Sequence, residues 1–119
     1  MNEIEGWQIT GEKEPDRILE KFRKLYPNAK AVLTLGGEGS VYQDQENQYR
    51  QGIFQVETKD TTAAGDTFTG YFISSMLKNM PASEGLELAA KAAAIAVSRD
   101  GATTSIPTME EVMGFQAGV

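Results

Sequence analysis

The chain has 119 residues, of which 40% are hydrophobic and 24% charged; it carries a formal net charge of -6 and contains neither cysteine nor histidine. This length suits one domain with a real core, and the missing residue types exclude disulfides, thiol nucleophiles, zinc centres and every His-based triad. An acidic balance with scattered Lys and Arg argues against nucleic acid as a partner, so a bound phosphate would have to meet local backbone donors.

In chain order, "MNEIEGWQIT" lacks a basic stretch followed by an apolar one, so no signal peptide is expected. "PDRILEKFRKLYP" predicts a helix with an apolar stripe at Ile18, Leu19, Phe22, Leu25 and Tyr26, bounded by Pro15 and Pro27. "AVLTL" is the short apolar run expected of a strand buried on both faces, and it stops at "GGEGS". "VYQDQENQYRQGIF" reads as two short strands around a polar turn. Phe68, Phe72 and Met76 recur at helical spacing up to "KNMP", and an alanine-rich helix follows from about Ser83 to Val97. Its "LAAKAAAIAV" is too short for a membrane span and holds Lys91, so a cytoplasmic protein with no membrane partner is expected. "RDGATTSIPT" is a loop, and Thr108 with Glu111 makes a capping box for a last short helix. Strands and helices alternate early and helices dominate later, which predicts an α/β layered fold with a mainly parallel sheet.

One stretch stands apart. In "DTTAAGDTFTGYF" small Ala63, Ala64 and Gly65 precede a lone Asp66 and an aromatic helix. One reading is a strand-to-helix turn in which Asp66 favours the helix start. The other is an anion site: the amides of Ala63, Ala64 and Gly65, with the helix N-terminus, face phosphoryl oxygens. Asp66 would then align a substrate hydroxyl and accept its proton. A carboxylate is a weak base for an alcohol, so that transfer would be late, as suits the loose transition state of phosphoryl transfer.

"DTTAAGDTFTG" resembles the C-terminal signature of the ribokinase-like, or PfkB, carbohydrate kinases, in the version found in ribokinases. Three other segments fall in family order around it. "NEIE" matches an Asn-x-x-Glu motif, which implies roles for Asn2 and Glu5 in a magnesium and phosphate network. "TLGGEGS" resembles the nucleotide-binding strand end and implies Thr34, Gly36 and Gly39 near ATP; without the family it is a plain turn between strands. "AIAVSRDGATTSIP" resembles the loop over the nucleotide and a monovalent-cation site. There the resemblance implies K+ held by Asp60, Thr62, Ala96, Arg99, Gly101 and Ser105, mostly through carbonyls. Tyr71 departs from the small residue often found after Gly70, and Ala90 stands where some relatives carry a polar or ring side chain beside adenine.

The resemblance covers nearly the whole chain but only the C-terminal, nucleotide-binding half of a family member. It implies a ribokinase-like fold and, for the parent protein, ATP- and Mg2+-dependent phosphorylation of a sugar hydroxyl with Asp66 as base. With the sugar-binding half absent, residues 1–119 are expected to be an inactive fragment, and the surface left bare to drive self-association into a homo-oligomer. The alternatives are a non-catalytic nucleotide-binding or interaction module, and a relative acting on a nucleoside or a fructose-type substrate.

Overall fold

A computed structural model describes residues 1–57, 59, 64–99 and 107–114. They fall into two compact units, Met1–Gln51 and Gly52–Val119.

The first unit opens with α1 (Glu3–Thr10). Its start is a reciprocal cap: Asn2 Oδ1 accepts from the Glu5 amide at 2.8 Å, and Glu5 Oε1 accepts from the Asn2 amide at 2.9 Å. Two amides that the first helical turn leaves unpaired are thereby satisfied. Gly11, at φ 77°, ends the helix in the left-handed conformation open to glycine. α2 (Pro15–Leu25) begins on a proline whose fixed φ suits the first helical position. It buries Ile18 and Leu19, but the predicted stripe stops short: Leu25 is 48% and Tyr26 51% exposed. Tyr26 caps the helix with φ −134° and ψ 72°, so the chain has left helical phase there. Its ring instead packs against Phe22, with centroids 4.9 Å apart.

β1 (Ala31–Thr34), β2 (Ser40–Gln43) and β3 (Gln48–Gln51) pair in that order, and both pairings are antiparallel. The mainly parallel sheet expected from the element pattern is therefore corrected for the described residues. The linkers decide this, since only residues 35–39 and 44–47 join the strands. A parallel return needs a crossover of roughly a dozen residues or more. Parallel pairing is confined, among the described residues, to the isolated bridge between Asn2 and Thr34. β1 also differs from a strand buried on both faces, because Ala31 and Leu33 are buried while Val32 and Thr34 are half-buried. The core gathers Ile18, Leu19, Leu33, Leu35 and Val41. Each fully buried aliphatic side chain there stabilises the unit by about 1.5–3 kcal/mol.

The β2–β3 turn is closed by Asp44, which accepts from the amides of Glu46 (2.9 Å) and Asn47 (2.7 Å) and from the Tyr42 hydroxyl (2.8 Å). Those amides, then the hydroxyl, hold Asp44 below its usual range. Burial, then the Asp44 bond, push the Tyr42 phenol up to about 12. The fold thus favours neutral Tyr42, and that stabilisation is complete below about pH 10, the unfolded value, and is lost as pH rises through the folded one. It favours ionised Asp44, whose contribution is present above about pH 4 and is lost as pH falls. Urea midpoints should therefore be flat between about pH 5 and 9 and fall at both ends, with a shallower alkaline fall in Tyr42→Phe. An unchanged alkaline limb in that variant would contradict the assignment.

The second unit holds α3 (Ala64–Leu77), α4 (Ala82–Val97) and the short α5 (Met109–Met113). α3 buries Phe68 and Phe72 as its spacing predicted. Just beyond its end, Asn79 takes a φ of 59°, one that asparagine tolerates, and the Met80 amide returns to Ser75 O at 3.0 Å. α4 then packs on α3 through Gly85 and its alanines. A Cβ at Gly85 would overlap Ser75 Oγ and stand 3.3 Å from Met76 Cε, so glycine sets the helix separation. Leu88, Ala92 and Val112 form a cluster flanked by Tyr71, Met80, Ile95 and Met109. α5 starts on the predicted Thr108–Glu111 capping box.

Candidate functional site

Asp66 lies in the first turn of α3, exposed, with Gly65 exposed and Ala64 half-buried before it. A Cβ at Gly65 would meet nothing within 4 Å, and the same holds at Gly70, one turn beyond Asp66. Among the described residues, packing therefore requires neither glycine beside Asp66. A groove of about 360 Å3 runs from there, lined by Asp66, Thr67, Gly70, Tyr71, Ser74 and Met109. Thr67 Oγ1 is buried, with no hydrogen-bond partner among the described residues. Ala63 lies outside the described residues.

Tyr71, the departure from the small residue, uses its ring in the cluster around Val112 and donates its hydroxyl to Pro107 O at 2.6 Å. Burial raises its pKa above the usual value. The larger side chain thus ties α3 to the segment entering α5. Tyr71→Phe removes this bond and leaves a carbonyl unpaired, so the unfolding free energy should drop by about 1 kcal/mol. Urea denaturation checks this; no change would show that water replaces the hydroxyl without loss. Ala90 is buried in α4.

Of the residues assigned to a monovalent cation, Asp60, Thr62, Gly101 and Ser105 lie outside the described residues. Ala96 and Arg99 sit at the end of α4, where Ala96 O accepts from the Arg99 amide at 3.2 Å. The Arg99 guanidinium pairs with Glu111, which also accepts from the Thr108 amide. The Lys59 amide donates to Val97 O at 2.7 Å. The residue just before Asp60 is thus joined to the helix end that carries Ala96 and Arg99.

In the first unit, Thr34 closes β1 and is followed by a single 3-10 turn, Gly36–Glu38. Gly36 (φ 57°) and Gly39 (φ 98°) both occupy the glycine-favouring region, and the Leu35 amide returns to Gly39 O at 2.8 Å. The glycines here serve the turn itself, whatever else it does. Asn2 is brought to Thr34 and bridges it, while the Thr34 amide (2.8 Å) and hydroxyl (3.3 Å) both donate to Met1 O; Glu5 meets only the Asn2 cap. Sequence reasoning missed the structural employment of Asn2 and Glu5, although Asn followed three residues later by Glu is a readable capping-box signal. No cluster of three or more acidic metal-binding side chains occurs among the described residues. Glu5 commits Oε1 to the cap, which leaves its second oxygen for a hydrated cation. Mg2+ keeps several waters and takes few carboxylates, so the pair fits an outer, water-mediated role.

The chain superposes on ribokinase-fold structures. It matches Arabidopsis thaliana ribokinase complexed with ribose and ATP at TM-score 0.86 and 31% identity, over 97% of this chain and 40% of that one. Thermotoga maritima ribokinase matches at TM-score 0.82 and 32% identity, over 94% and 39%. In sequence, Schizosaccharomyces pombe ribokinase is 43% identical over 100 residues, 83% of this chain and 31% of the relative. Residues 1–109 match the model of the pfkB family carbohydrate kinases, and the chain belongs to that family. It spans about a third of the length of the curated relatives it matches.

Proposed function

We propose that this chain is the nucleotide-binding, phosphoryl-transferring part of an ATP-dependent sugar kinase of the ribokinase type. The observation that carries this reading is Asp66, exposed in the first turn of α3 beside glycines that packing among the described residues does not demand. Asp66 aligns the acceptor hydroxyl and takes its proton, while the amides of Ala63, Ala64 and Gly65 hold charge that builds on the transferred group. Thr34, Gly36 and Gly39 serve the nucleotide, and Asn2 and Glu5 meet the water shell of Mg2+. Bound Mg2+ supplies neutralisation of the phosphate charge. The Lys59–Val97 bond supports a K+ site in which Ala96 and Arg99 carbonyls join Asp60, Thr62, Gly101 and Ser105.

The sugar contacts belong to residues beyond this stretch, so the chain alone should not turn over. Joined to the N-terminal part of a ribokinase relative, it should phosphorylate ribose from ATP. Mass spectrometry of products from ribose, fructose and a nucleoside tests the acceptor class. Nucleotide binding with no phosphorylated acceptor from any of the three would favour a non-catalytic module.

A further inference from the structure

We propose that Asn2 and Glu5 are positioning residues for Thr34, and that they act with neither metal nor nucleotide bound. Three observations converge on this. First, both side chains are already engaged with each other's amides, at 2.8 and 2.9 Å, in the free chain. Secondly, the residues those bonds fix are the ones that hold Thr34. Asn2 forms the bridge to it, and Met1 O, immediately before the cap, accepts from both its amide and its hydroxyl. Thirdly, α1 lies close against the core: a Cβ on Gly6 would stand 2.8 Å from Ile18 Cγ2, a side chain buried there.

The cap thus fixes the Met1–Asn2 backbone, and that backbone fixes the end of β1. The Thr34 hydroxyl, its proton spent on Met1 O, faces any neighbour as an acceptor. That Thr34 serves a nucleotide rests on the proposed function; that Asn2 and Glu5 lock it does not. What the pair needs is shape and acceptor oxygens. A carboxamide at position 5 supplies these as well as a carboxylate, since Gln is as competent as Glu in a capping box.

Hydrogen exchange of backbone amides, followed by NMR on the whole chain in EDTA without nucleotide, tests this. Glu5→Ala and Asn2→Ala should each speed exchange at the Thr34 amide by about fivefold, the factor that a lost N-cap carries. The change should be selective for Thr34 over Val41 and Tyr42 in the central strand. Glu5→Gln should stay within about twofold of the parent, because its side chain still accepts from the Asn2 amide. Equal acceleration at Val41 and Tyr42 would mark general destabilisation and overturn the proposal, as would a Glu5→Gln variant that exchanges like Glu5→Ala. Failure of the kinase reading would appear only in the sugar assay and would leave these rates untouched.

Discussion

Asp66→Asn, in the chain joined to the N-terminal part of a ribokinase relative, should bind ATP as before and lose turnover by about 10²–10⁴, the range of a positioned general base. The substitution keeps the shape and the hydrogen-bonding oxygen, so the acceptor hydroxyl can still be approached. It removes the proton acceptor. Asp66 is exposed in the first turn of α3 and belongs to no described ion pair that would need the charge for stability. The helix start loses only the dipole interaction, about 0.3–1 kcal/mol. A large change in kcat with a loss of unfolding free energy no greater than that is therefore the expected signature. Near-normal turnover would remove Asp66 from the role of base.

The second large effect is on stability. Gly85→Ala should destabilise the α3–α4 pair by about 1–3 kcal/mol, the usual range for overpacking a core, even though alanine in a helix is worth about 1 kcal/mol over glycine. The new Cβ overlaps Ser75 Oγ, which is buried and donates to Phe72 O at 2.6 Å. To make room, the hydroxyl must leave that bond or the helices must part. Ser75→Ala removes the overlapping oxygen, so Gly85→Ala should cost less in that background. Thermal denaturation of the four variants gives the coupling. Additive effects would show that the helices separate instead.

The elements readable from the chain were those with a strong local signal. α4 was readable because alanine and leucine dominate it, α3 because its aromatics repeat at helical spacing, and the β2–β3 hairpin because a polar turn divides two strands. Thr108 and Glu111 announced their cap by the spacing that physically makes one. The same rule applies to Asn2 and Glu5, but there the family motif drew attention to a metal and away from the backbone. The sheet direction was misread because element alternation ignores linker length, and residues 35–39 leave no room for a crossover. The role of Tyr71 was illegible because its partner, Pro107, is remote in sequence and is a carbonyl, which no side-chain pattern reveals. The resemblance named Asp66 and the small residues before it. The structure adds that, among the described residues, nothing packs where a side chain at Gly65 or Gly70 would stand, a property that composition does not carry.

As proposed, Asp66 and its helix start transfer a phosphoryl group to a sugar in concert with a sugar-binding part. Ribose-dependent ADP release from ATP, measured for the chain alone and for the chain joined to the N-terminal part of a ribokinase relative, tests it most directly. The expected result is ribose-dependent release from the joined protein and none above background from the chain alone. Ribose-dependent release by these 119 residues, or none from a folded, ATP-binding joined protein, would contradict the account.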